Sequence, residues 1–192
     1  MNASIVNPLS LRFLFFCALT SFAIPVAVMA GNQRPNVIVI MSDDQGGGDY
    51  GFQGNPLIET PSLDTMFKNG GCLTNFYVSP VCAPTRASLM TGRYNYRTRC
   101  IDTYIGRAMM DADEKTLAEY LRDAGYRTGI YGKWHLGDQP AFLPTRQGFD
   151  EFYGIPYSDD MTREVGQRIG DRLQGHLWPE LPLMKNEKVV DA

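Results

Sequence analysis

Six residues have types and spacings that could do chemistry: Asp43, Asp44, Cys82, Arg86, Lys133 and His135. Cys82 and Arg86 are four apart, one turn of a helix. A thiolate or oxyanion at 82 would have a guanidinium beside it and, if 82 opens a helix, unpaired backbone amides as well. Lys133 and His135 are two apart, so in an extended segment they share a face and combine a fixed cation with a group that moves protons near neutral pH. Asp43 and Asp44 put two hard carboxylates on one loop, an arrangement that suits Ca²⁺ or Mg²⁺ and is costly for two uncompensated like charges. Each feature taken alone has a plainer reading: a solvated turn, a structural histidine, a reactive thiol.

The elements around these residues decide between the readings. Asn36 to Met41 is a continuous apolar, β-branched run of strand length, ending in the polar, glycine-rich stretch from Ser42 to Asp49. Thr60-Pro61 predicts a helix start, with Leu63, Met66 and Phe67 as its apolar stripe and Gly70-Gly71 as its stop. Leu73 to Val78 reads as a second strand, a loop runs from Pro80 to Ala83, and Pro84 falls in the first turn of a helix that continues towards Gly92. Thr116 caps another helix that Gly125 stops, and Tyr126 to Tyr131 reads as a third strand. Alternation of strands and helices predicts an α/β sheet with parallel strands. In such sheets ligands bind beyond the carboxyl ends of the strands, so the three chemical clusters are expected to converge on one pocket. Downstream, Arg163 to Arg172 suits a solvated helix and Leu181 to Val190 a hairpin turning near Asn186.

Charge and cysteine usage narrow the setting. Arg12 precedes an apolar run from Phe13 to Ala30 that ends in Val28-Met29-Ala30, small residues spaced as in a signal-peptidase site. Residues 1–30 are therefore expected to be a signal peptide and the mature chain to be exported, without stable membrane association. The 192 residues carry 18 Lys+Arg against 21 Asp+Glu, a net charge of -3, which argues against a nucleic-acid partner. The stretch from Arg93 to Arg99, with Tyr94 and Tyr96, has an aromatic and basic mix but is short for a nucleic-acid patch. Beyond the leader lie Cys72, Cys82 and Cys100. Three cannot all pair, so if Cys82 is chemically consumed, Cys72 either bridges to Cys100 or stays free.

Cys82-Ala83-Pro84-Thr85-Arg86, followed by Ala87-Ser88-Leu89-Met90-Thr91-Gly92, resembles the signature of the type I, formylglycine-dependent sulfatases. The similarity runs from Pro35 to about Tyr157. It takes in Asp43-Asp44-Gln45-Gly46, Thr60-Pro61-Ser62-Leu63-Asp64, Gly92-Arg93-Tyr94, Gly132-Lys133-Trp134-His135-Leu136-Gly137 and Gln147-Gly148-Phe149-Asp150, in the family's order. Thr85 stands where Ser is commoner. The resemblance implies an alkaline-phosphatase-like α/β fold, a mostly parallel sheet flanked by helices, and an arylsulfatase-like sulfuric ester hydrolase. It also implies that a formylglycine-generating enzyme oxidises Cys82 to formylglycine, whose hydrated aldehyde attacks the sulfate sulfur and later expels sulfate. Asp43, Asp44 and the modified Cys82 would bind Ca²⁺, with Mg²⁺ as the alternative. Arg86 and Lys133 would hold developing negative charge, and His135 would take a proton. The substrate would be a sulfate ester, with sulfated carbohydrate as one class.

The family's second metal pair and its later His and Lys have no match here, and His176 lies in surroundings that fit no family motif. Residues 31–192 thus read as the N-terminal part of a catalytic domain, cut short on the C-terminal side and expected to be inactive in isolation. A phosphonate or phosphate ester hydrolase of the same superfamily and a non-catalytic fragment are the competing expectations.

Overall fold

The computed structural model describes residues 34–103, 108–162 and 180–191. The expected leader and the charged stretch 163–172 lie outside the described residues. The chain forms two compact units, Met1–Met41 and Ser42–Ala192. In the first, residues 34–41 form no strand, and Ile38 is 82% exposed. This corrects the expectation for 36–41, and the same correction applies to Leu73 to Val78, where Tyr77 is 86% exposed. A β-branched composition reports fitness for a pleated, half-buried surface, and a strand exists only once a neighbour completes its ladder. Among the described residues no ladder includes either run.

The second unit is organised by helices α1 (Pro61–Asn69), α2 (Cys82–Thr91) and α3 (Leu117–Asp123). Its strands are β1 (Gly129–Lys133), β2 (Glu151–Ile155), β3 (Leu183–Lys185) and β4 (Lys188–Asp191). The strands lie in the order β1-β2-β3-β4, with β1 parallel to β2 and the other two pairings antiparallel, so the described sheet is mixed. The third expected strand is present but displaced, because its pairing begins at Gly129 and carries Lys133 into the ladder. The hairpin turns at Asn186, whose φ of 55° is one that Asn tolerates. β2 is an addition to the expected elements: its Phe152 is fully buried, but Gly154 and flanking aromatics obscure any simple alternation.

Helix α3 starts as its residues dictate. Thr116 Oγ1 accepts from the Glu119 backbone amide at 3.2 Å, and the Glu119 carboxylate accepts from the Thr116 amide at 2.8 Å, a reciprocal capping box. Helix α2 begins at Cys82, two residues before the proline that marks its first turn, and ends at Gly92 with φ 65°. The core gathers Ala83 and Ala87 of α2 with Cys100, Met110, Trp134, Leu136, Leu143, Phe152 and Met184. The small residues on α2 let that helix lie close against the segment following β1. The indole of Trp134 donates to the Phe142 carbonyl at 2.8 Å and meets Phe149 edge-on, so its polar atom is satisfied inside an apolar cluster.

The segment Gln147 to Asp150 ties α3 to β1. Thr116 Oγ1 donates to the Gln147 carbonyl and Thr128 Oγ1 to the Gly148 carbonyl, each at 2.7 Å. Gly148 has φ +95°, and a Cβ there would meet the Glu119 backbone nitrogen and lie 2.9 Å from the Ala118 carbonyl carbon. Gly148→Ala is expected to lower the unfolding free energy by about 2–3 kcal/mol through overpacking and backbone strain. Urea denaturation checks this, and a loss under about 0.5 kcal/mol would show that the α3 junction relaxes freely.

Candidate active site

Residues 133–135 are fixed by an extension of the β1–β2 ladder. The Trp134 amide donates to the Ile155 carbonyl at 2.9 Å and the His135 amide to the Pro156 carbonyl at 3.0 Å. His135 has φ 58°, so the backbone leaves the extended conformation there and the simple same-face argument for Lys133 and His135 does not apply. The left-handed turn aims the His135 ring at the start of α2, while the Lys133 side chain runs to Asp43 and Ser158.

At that start, Cys82 Sγ lies 3.4 Å from His135 Nδ1. On the other side of the ring, Nε2 is 2.8 Å from the Thr103 carbonyl oxygen. A carbonyl only accepts, so Nε2 carries the hydrogen in the neutral ring and Nδ1 presents its lone pair to residue 82. Burial is the largest influence on this imidazole and pulls its pKa below the ordinary value. The Thr103 carbonyl opposes it, and the nearby Lys133 and Arg86 cations add to it. The buried ring is thus held neutral and ready to accept a proton from residue 82.

Arg86, one turn into α2, donates through its guanidinium to the Lys133 carbonyl. Burial pulls its pKa down, while Asp43 and Cys82 push it back up. Lys133 Nζ donates to Asp43 Oδ2 and to Ser158 Oγ, both at 2.8 Å. The lysine side chain is nearly buried, and an ammonium so placed requires such partners. Asp44 follows Asp43 on the exposed loop with φ 49°. The structure therefore joins Asp43, Lys133 and Arg86 by direct contacts and Cys82 to His135 by another, the two sets meeting through the chain at 82–86 and 133–135, with Asp44 adjacent in sequence. Cys72 is exposed, Cys100 is buried, and both are free, so the bridge left open above is not formed.

Two contributors carry no sequence signal of their own: the buried Ser158 and the Thr103 carbonyl. Ser158 lies three residues past the end of β2. Recognising that strand would have placed it at the carboxyl edge with the other groups, but a lone serine in a loop forms no pattern.

The donors on the Asp43-Asp44 loop are hard oxygens, which fit a divalent cation such as Ca²⁺ in kind. Two carboxylates fall short of the roughly six to eight oxygens Ca²⁺ takes, and among the described residues no group of three or more His, Cys, Asp or Glu could hold a metal.

A mixed α/β topology with helices, and a cysteine at a helix start facing a histidine just past a strand's carboxyl end, are consistent with an alkaline-phosphatase-like fold. The Sulfatase family profile matches residues 35–171, and the chain belongs to that family. It is 46% identical over 140 residues to arylsulfatase A of Bos taurus, covering 70% of this chain and 28% of that protein. With N-acetylgalactosamine-6-sulfatase of Mus musculus it shares 39% over 177 residues, 83% of this chain and 34% of the other. Among solved structures it is similar to Ps i-CgsB, with TM-score 0.67 and 34% identity over 83% of this chain and 38% of that one. It is also similar to the PsFucS1 sulfatase from Pseudoalteromonas sp., with TM-score 0.66 and 28% identity over 96% and 39%. The chain spans about a quarter to two-fifths of the length of these relatives.

The His135 environment sets a pH dependence. Its folded pKa is depressed, so as pH falls below the unfolded value of about 6.5 the unfolded chain takes up protons that the folded chain refuses. The stability contributed by the neutral ring is fully present above about pH 6.5 and is lost as pH falls towards the folded pKa. Urea titrations from pH 8 downward should show this decline in the parent and a flatter profile in His135→Asn. Identical profiles for the two chains would exclude the buried neutral ring as its source.

Proposed function

We propose that this chain contributes the nucleophile half of an exported sulfuric ester hydrolase, with Cys82 as the residue converted to formylglycine. The observation that carries the reading is the contact of Cys82 Sγ with His135 Nδ1 at 3.4 Å, with Arg86 one turn along the same helix bonded to the Lys133 carbonyl. In its modified form residue 82 would supply an oxygen nucleophile in place of sulfur. Asp43, Asp44 and the oxygen of modified residue 82 would help hold a Ca²⁺ or Mg²⁺ ion, which would supply positive charge to the sulfate oxygens.

The chain's own residues do the remaining work. His135 Nδ1 faces residue 82 with its lone pair and can take a proton from a hydroxyl held there, and the Thr103 carbonyl keeps the ring in the tautomer that allows it. Lys133 is drawn between Asp43 and Ser158, so its ammonium is already oriented before a sulfate arrives. Arg86 donates to the Lys133 carbonyl and so anchors the strand end to the helix, while adding a second fixed cation to a site built for an anion. Helix α2 directs its positive N-terminal end at residue 82. Among the described residues no helix is long and apolar enough to cross a membrane.

Two outcomes test the reading. Co-expression with a formylglycine-generating enzyme should convert the Cys82 thiol to an aldehyde, detected by mass spectrometry of the peptide carrying it; a thiol that persists would exclude the formylglycine assignment. In an enzyme of the family's full length bearing these residues, Arg86→Ala and Lys133→Ala should each lower kcat/KM on an aryl sulfate by about 10²–10³-fold, the scale for removing a preorganised donor at developing charge. Greater specificity for the matched aryl phosphate would reassign the enzyme to phosphate esters.

A further inference from the structure

The segment Arg93 to Arg99 has no part in the site chemistry, yet its construction is regular. Asn95, Thr98 and Cys100 point inward and are buried. Thr98 donates to the Asn95 carbonyl through its amide at 3.1 Å and its hydroxyl at 2.8 Å. Asn95 Nδ2 donates to the Cys100 carbonyl at 3.2 Å, and the Asp111 amide donates to the Thr98 carbonyl at 2.9 Å. Between these anchors Tyr94 and Tyr96 project outward, 81% and 78% exposed, and Arg97 and Arg99 are exposed beside them. Arg99 is held at φ 65°, a left-handed conformation that costs energy for a non-glycine residue.

Two connections bring this surface close to residue 82. Ser79 Oγ donates to Asn95 Oδ1 at 3.4 Å, three residues before Cys82. From Arg99 the chain reaches Thr103, whose carbonyl holds His135, and four residues span at most about 14 Å. The surface therefore lies within reach of a polymer whose reacting group sits at residue 82. Its chemistry is specific: phenol rings offer flat, amphipathic faces to sugar rings, and guanidinium groups match the oxygens of a sulfate in pairs. Nucleic acid is the weaker match, because Glu114 pairs with Arg93 and Asp111 lies 3.9 Å from Arg99 in a chain of net charge -3.

We propose that Tyr94, Tyr96, Arg97 and Arg99 bind an unreacted stretch of a sulfated polysaccharide while one of its sulfate esters lies at residue 82. The inference rests on the sulfate-ester reading of the site and adds to it a substrate that is polymeric and multiply sulfated.

The test uses the chain with Cys82→Ser, so that binding is read without turnover, and dextran sulfate oligosaccharide as probe. Tyr94→Ala with Tyr96→Ala, and Arg97→Gln with Arg99→Gln, should each weaken binding about 10-fold or more, the scale of losing a charge-assisted contact. Arg127→Gln, at an exposed arginine outside the segment, should change it less than twofold, and unsulfated dextran should not bind. Unchanged thermal midpoints would show that the variants remain folded. Binding that survives both double substitutions overturns the proposal. So does equally tight binding of single-stranded DNA with no effect of the tyrosine pair, which marks a general polyanion patch. Hydrolysis of a small aryl sulfate by the modified full-length enzyme separates the two readings. If it proceeds while polysaccharide binding ignores these four residues, the platform fails and the sulfatase reading stands; if it is absent while binding depends on them, the reverse holds.

Discussion

The parallel pairing of β1 with β2 continues beyond the strands, through the Trp134 amide on the Ile155 carbonyl and the His135 amide on the Pro156 carbonyl. Those two bonds set the backbone of three consecutive residues with different tasks. Lys133 turns its ammonium to Asp43 and Ser158, Trp134 enters the core, and His135 turns its ring to Cys82. The register matters as much as the pairing: Gly132 lies opposite Gly154, and a Cβ at 154 would strike the Gly132 carbonyl. Two glycines face each other because backbone approaches backbone there, and that approach lets β2 carry Ser158 to the same edge as Lys133.

Around this frame the electrostatics have a consistent sign. Arg86, Lys133 and the N-terminus of α2 are all positive, and Asp43 partly offsets them. The adjacent His135 gains by remaining neutral, since burial and both cations disfavour its charged form. One arrangement therefore concentrates positive potential at the cluster and keeps the imidazole beside it neutral. Exposed ion pairs such as Lys115–Asp123 and Arg146–Glu187 contribute little by comparison, because water screens them.

The helices and the candidate residues that the structure brings near one another were legible in the sequence because their signals are local. A threonine with a glutamate three residues on forms the cap of α3, and proline and glycine bracket α1 and α2. The cluster of chemical residues was legible from spacing and from its resemblance to a family motif. The His135 tautomer was not, because it depends on the Thr103 carbonyl, 32 residues away. Strand β2 was also hidden, since its evidence is a ladder with β1 rather than a pattern within Glu151 to Ile155. The runs at 36–41 and 73–78 show the converse: strong composition without pairing leaves the residues exposed and unassigned to any ladder among those described.

That asymmetry explains why the site is better defined on one side than the other. The groups facing residue 82 from α2 and β1 are fixed by contacts inside the core: Ala83 and Ala87 pack in the same cluster as Trp134 and Leu136. Asp43 and Asp44 instead stand on an exposed loop, and Asp43 is tied to the rest through the ammonium of Lys133. An exposed carboxylate held by charge can change partner at smaller cost than a ring buried between a thiol and a carbonyl. The side of Cys82 and His135 is thus preorganised by packing, and the carboxylate side by charge. Changes in the core should disturb the first directly and reach the second through the two cations beside Asp43, Lys133 and Arg86.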